Sequence, residues 1–120
     1  MTNCSQREKS TQVVTFLRNP LTLIIQLKRF KFDQNLQISF KRHDSIFVPR
    51  VLELPDRTSY KLISIINHIG ETCISGHYTC LLPEPSGDAF TLVDDMVVTR
   101  SVRMTEDMAK TGYILIFTKE

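Results

Sequence analysis

The stretch Gly76 to Asp95, "GHYTCLLPEPSGDAFTLVDD", decides how this sequence folds. Its first part, "GHYTCLLP", is rich in aromatic, β-branched and aliphatic side chains and stops at Pro83, which cannot continue a ladder. "EPSGD" has turn chemistry, and "AFTLV" then returns as an antiparallel partner. The pairing places His77 and Asp94 toward the same end of one hairpin.

Reading outward, "YKLISIINHIG" alternates only in part and ends at Gly70, which predicts a central strand over Tyr60 to Ile69. "LTLIIQLKRFKF" is a near-continuous apolar run without a helical stripe, so it is expected to be one strand covered on both faces at the sheet centre. Val13 to Leu17 reads as a first strand, set apart by Pro20. After the turn formers Asp33 to Asn35, the alternation of Leu36, Ile38 and Phe40 with Gln37, Ser39 and Lys41 predicts a half-buried hairpin arm. Pro49 and Pro55 bracket "RVLEL". Thr105 reads as the N-cap of a short acidic-start helix, "EDMAK", closed by Gly112 before a last strand, "YILIFT". The sum is a mainly β (α+β) fold: one domain over residues 1–120 with an antiparallel sheet and one short helix, because parallel strands need crossover helices that the sequence does not offer.

Composition sets further bounds. With 120 residues, 42% hydrophobic and 23% charged, the chain has the balance of a globular domain with a modest core. It contains no run of about 18 apolar residues and no signal-peptide h-region, so the expectation is an intracellular protein of cytoplasm or nucleus with no membrane contact. Cys4, Cys73 and Cys80 are an odd set without framework spacing, which predicts free thiols. A net charge of +2 is too small to call for a polyanion, and "LKRFK" and "FKRH" read as exposed strand faces, so no nucleic-acid partner is expected.

Three readings compete for His77. His68, Cys73, His77 and Cys80 are all acceptable zinc ligands, but on a strand His77 and Cys80 differ by an odd number of positions and project to opposite faces. Alternatively His77 is an acid/base histidine whose Nδ1 is held by Asp94 or Asp95 across the hairpin. The ordinary reading is a satisfied strand histidine beside a carboxylate-rich turn, and the residues alone favour it. No cysteine presents itself as a nucleophile for His77. Cys80 is on the wrong face, Cys73 is awkwardly placed in the adjoining loop, and Cys4 is followed by "SQREKS", which lacks the periodicity of a packed helix.

In order and spacing, "LTLIIQLKRFKFD", "IFVPRVLELP", "YKLISIINHIG", "SGHYTCLL", "FTLVDDMVV" and "TGYILIF" resemble the C-terminal half of the catalytic domain of ubiquitin-specific proteases, papain-like cysteine peptidases. That domain is described as a right hand, and the matching part is the palm with a portion of the fingers. The resemblance implies that His77 is the general base, Asp94 the acid that orients it, and Asp95 a second polar residue beside the site. It also implies that His68, Gly76, Tyr78, the loop "ETCIS" and the turn near "DQNLQ" lie along the cleft for ubiquitin's C-terminal tail. The implied reaction is hydrolysis of the isopeptide bond after ubiquitin's terminal Gly-Gly, without cofactor or metal, and the implied partner is ubiquitin or a ubiquitinated protein.

The departures are specific. Nothing matches the family's G-N-T-C cysteine box at the head of a thumb helix; "TNCSQ" shares an Asn-Cys pair alone. No pair of CxxC motifs of the zinc-binding fingers is present, and Phe90 stands where an indole is expected. The chain is therefore expected to be a partial domain, palm without thumb, inactive by itself, poorly soluble unless covered, and dependent on an upstream or separate thumb segment. The alternatives are a non-catalytic ubiquitin-binding or scaffold module and a small zinc-binding β domain.

Overall fold

Burial along one long strand organises the molecule. Ser59–Ile69 buries Tyr60 and Leu62 but then Ile65 and Asn67, so the buried set changes from even to odd positions. A register shift between Leu62 and Ser64 makes Ile63 an extra residue in the ladder, and such a bulge turns the following side chains over. The partial alternation visible in the sequence is this bulge.

The computed structural model describes residues 9–120. In chain order the strands are β1 (Thr22–Gln26), β2 (Phe30–Asp33), β3 (Ile38–Lys41), β4 (Val51–Glu53), β5 (Ser59–Ile69), β6 (His77–Pro83), β7 (Phe90–Asp94), β8 (Val97–Val102) and β9 (Gly112–Lys119), with one helix, α1 (Glu106–Thr111), before the last. Seven strands form one sheet in the order β1-β9-β5-β6-β7-β8, with β4 pairing to β5, while β2 and β3 make a separate ribbon. Every pairing is antiparallel, so the fold is the mainly β architecture expected. No helix among the described residues is long and apolar enough to cross a membrane.

The core lies on one face of the sheet. Leu23, Tyr60, Leu62, Ile65, Leu81, Phe90, Leu115 and Phe117 form it, and Leu52 of β4, Met108 of α1 and Val48, Leu54 and Met104 of the connecting segments pack against it. Burying an aliphatic or aromatic side chain of this kind is worth about 1.5–3 kcal/mol each. Phe90 is roofed by Arg50, whose guanidinium carbon is 4.2 Å from the ring centroid and whose Nη2 donates to the Ala89 carbonyl at 2.7 Å. The residue standing where an indole was expected is thus a packed core residue.

The hairpin β6–β7, the central strand β5, the final strand β9 and α1 form as read, and Thr105 Oγ1 accepts from Met108 N as the N-cap. Other segments differ. Residues 13–17 form no strand; their apolar side chains are exposed and find no ladder partner, and a strand propensity without a partner strand has nothing to act on. Asn19 instead anchors this end of the chain, donating to Asp56 at 2.8 Å and Thr58 at 2.6 Å.

"LTLIIQLKRFKF" is not one central strand but two short ones, an edge strand of the main sheet and half of the ribbon. Arg29 divides them. Its Nε donates to the Gly112 carbonyl at 2.5 Å, Nη1 to those of Asp44 at 2.9 Å and Arg42 at 3.2 Å, and Nη2 to that of Ala109 at 3.2 Å. In the ribbon the expected burial is inverted: Leu36, Ile38 and Phe40 are exposed while Lys41 is buried. The sequence carries no signal for the strand β8, since "VVTRSV" lacks clean alternation; a two-residue turn at Asp95 and Met96 brings it back along β7.

Candidate active site

His77 is the first residue of β6 and Asp94 the last of β7. The register pairs Cys80 with Val93, so the next step sets Thr79 beside Asp94, and His77 emerges two residues further on that same face. The diagonal is short enough for contact: His77 Nε2 and Asp94 Oδ1 are 2.5 Å apart. A carboxylate accepts, so Nε2 carries the proton in this bond.

The carboxylate meets Nε2, not the Nδ1 expected from the sequence. From its strand-end position the imidazole meets Asp94 with its outer nitrogen, and Nδ1 makes no hydrogen bond among the described residues. The Asp94 hydrogen bond and charge raise the His77 pKa above its ordinary 6.5 against the opposing effect of desolvation, and the charge of Asp95 adds the smallest contribution, also upward. Asp95 occupies the first position of the tight turn with φ of 51°, a left-handed conformation that Asp tolerates better than most residues. The ligand atoms of His77, Asp94 and Asp95 all lie within 4.8 Å of one another.

The remaining predicted residues separate. Tyr78 is half exposed, and Gly76 is exposed with φ of 137°. A Cβ on Gly76 would stand 2.6 Å from His68 Nε2 and 2.7 Å from the Ile69 carbonyl, so glycine is required there on both counts. His68 does not line an open surface. It is 1% exposed, on the opposite face of the sheet from His77, boxed edge-on by Phe30 and Tyr78 with centroids at 5.2 and 5.0 Å. The loop of residues 70–76 and the turn of residues 33–37 are largely exposed, Ile74 among them at 92%.

The zinc set is not assembled. Cys80 leaves β6 on the face away from His77, its Sγ 3.1 Å from Ser64 Oγ, and His68 Nδ1 is already taken by Lys41 Nζ at 3.0 Å. Cys73 is exposed in the loop, and Cys4 lies outside the described residues. Two residues the sequence reading assigned to exposed basic clusters are interior instead: Arg29 is 2% and Lys41 7% exposed. Their partners are backbone carbonyls and a histidine far along the chain, which composition gives no means to see.

Chemically, this is an imidazole oriented by a carboxylate on one nitrogen and free to take a proton on the other, at a half-open surface with side-chain exposures of 44% for His77 and 45% for Asp94. The family model described as "Ubiquitin carboxyl-terminal hydrolase" matches residues 1–117. Ubiquitin carboxyl-terminal hydrolase 36 of Drosophila willistoni is 34% identical over 123 residues, covering 95% of this chain and 9% of the relative. Ubiquitin carboxyl-terminal hydrolase 10 of Saccharomyces cerevisiae is 30% identical over 128 residues, covering 97% of this chain and 16% of the relative. Among solved structures, a chain of the SAGA Ubp8/Sgf11/Sus1/Sgf73 DUB module superposes with a TM-score of 0.68 at 28% identity, over 84% of this chain and 24% of that one. The chain thus spans a small part of the length of the relatives it matches.

Proposed function

Because the chain belongs to the ubiquitin carboxyl-terminal hydrolase family, we propose that it supplies the base and acid of a thiol-dependent hydrolase acting on the bond after ubiquitin's C-terminal Gly-Gly. The observation that carries this reading is the His77–Asp94 pair, with Nδ1 unpartnered among the described residues. In the proposed mechanism, Nδ1 takes the proton of a cysteine thiol, and the thiolate attacks the carbonyl of the last glycine. Asp94 on Nε2 keeps the ring oriented and stabilises the imidazolium, which returns its proton to the leaving amine as the C–N bond breaks. Water deprotonated by the same ring then splits the resulting thioester, and the thiol is restored. Asp95 adds negative potential beside the same ring.

The nucleophile belongs to a thumb segment with a G-N-T-C box, upstream or separate, which makes these 120 residues a partial domain of palm and part of the fingers. Gly76 lies at the approach of the ubiquitin tail, where a side-chain-free strand end suits a substrate ending in two glycines. The half-exposed Tyr78, on the His68 face of the same strand, borders that approach from the other side. The setting is cytoplasm or nucleus.

A second reading has its own support. Cys80 faces away from His77 and Cys73 does not bond to it, which favours a non-catalytic ubiquitin-binding module when the chain acts alone. One experiment separates the two. The chain is tested with a fluorogenic ubiquitin C-terminal substrate, alone and co-expressed with a thumb segment carrying the cysteine box. Turnover in the pair and none in the chain alone supports the first reading; ubiquitin binding with no turnover in either supports the second.

A further inference from the structure

His68 and Lys41 have no part in the chemistry proposed above, yet both are buried and they lie directly behind the loop that delivers His77. Lys41, at the end of β3, places Nζ 3.0 Å from His68 Nδ1 and 2.6 Å from the His68 carbonyl. An ammonium has only protons to offer, so Nδ1 accepts and the ring proton sits on Nε2. That nitrogen is 3.2 Å from the Ser75 carbonyl, two residues before His77. The ring cannot swing away, since Phe30 and Tyr78 stand edge-on to it and Tyr113 borders it with a centroid at 6.3 Å.

The loop ends are closed onto this ring. Gly70 and Gly76, at φ of 146° and 137°, bring the loop's two ends together, and a Cβ on Gly70 would already stand 3.0 Å from Gly76 Cα. The tightest neighbour of Gly76 is His68 Nε2 itself. Glu71, at the loop's other end, is held from the same ribbon side by His43, with Nε2 3.0 Å from Oε2.

We propose that Lys41 and His68 are positioning residues for His77: the Lys41 ammonium fixes the His68 ring with its proton on Nε2, and that proton holds the Ser75 carbonyl, setting where the chain enters β6. The position of the His77 imidazole against Asp94 then depends on a side chain from the ribbon, an element outside the main sheet. This inference takes its functional meaning from the reading of His77 as the base, but its test does not require catalysis.

The test follows the His77 imidazole by NMR titration in the 120-residue chain, with amide exchange of the loop measured alongside. His68→Phe keeps a ring in the box but removes both hydrogen bonds. His77 is expected to titrate at lower pH than in wild type, and the amide of His77 to exchange about fivefold faster, the effect of one lost hydrogen bond. His68→Gln, which offers an N–H and a carbonyl oxygen at the same reach, is expected to restore both readings, and Lys41→Met to resemble His68→Phe. A His77 titration unchanged in His68→Phe, with Ile65 and Leu81 methyl signals as in wild type, overturns the proposal. If His68→Phe does not fold, an unchanged titration in Lys41→Met overturns it equally. Failure of the base reading is seen separately, as turnover that survives His77→Asn in the thumb-complemented protein.

Discussion

Two histidines nine residues apart occupy opposite faces of the same sheet and are partnered in opposite senses. His77 turns Nε2 to a carboxylate and leaves Nδ1 without a partner among the described residues, in half-open surroundings; His68 turns Nδ1 to an ammonium, Nε2 to a carbonyl, and is enclosed. An anion beside the ring favours the imidazolium that a base must become. A cation and a carbonyl use both nitrogens of a neutral ring and leave none for chemistry. Residue type, therefore, does not mark which histidine is proposed as the base; the sign of the neighbouring charge and the number of nitrogens left unpartnered do.

The largest effect that tests this contrast is on turnover. In the thumb-complemented protein, His77→Asn is expected to lower kcat by about a hundredfold or more, the scale of a lost general base, as read with a fluorogenic ubiquitin substrate. A His77→Asn protein as active as wild type would remove the contrast altogether. Next comes Gly76→Ala, which forces a side chain into a left-handed backbone and against His68. A stability loss of about 2 kcal/mol or more is expected from denaturant unfolding, and no loss would mean that the loop is not closed on the ring.

Asp94→Asn gives a smaller effect with a definite sign. The His77 pKa is raised in the folded state, so its contribution to stability is complete below the ordinary value of 6.5 and is lost as pH rises through the folded value. The melting temperature of Asp94→Asn is accordingly expected to fall below wild type at acidic pH, with the gap closing in mildly alkaline buffer. A gap that widens with pH would contradict the assignment. The smallest effect is that of Asp95→Asn, which acts on His77 through charge alone and is expected to lower its titration midpoint less than Asp94→Asn does.

What was legible in the sequence follows from how local each signal is. Pro83, the turn "EPSGD" and two short strand patterns suffice to define the β6–β7 hairpin, and with it the approach of His77 to Asp94. The Thr105 cap and the apolar β9 are equally local. The division between β1 and β2 was not, because Arg29 finds its carbonyls at Arg42, Asp44, Ala109 and Gly112. Nor was the burial of Lys41, whose partner His68 is 27 positions away. Which nitrogen of His77 meets Asp94 depends on where the ring lies relative to its neighbour strand, a matter of side-chain geometry that spacing does not encode.

The ladder between β5 and β9 departs from regular pairing twice, once for Ile63 on β5 and once for Tyr113 on β9. Outside that interval the partners run as though neither surplus existed: Tyr60 with Lys119 at one end, Asn67 with Gly112 at the other. The two irregularities cancel, so β5 has a built-in tolerance to a change of length. A chain lacking Ile63 alone could keep every Cα pairing in that ladder, whereas a deletion between Ile65 and His68 would turn part of the strand over and exchange what faces the core for what faces His68's side.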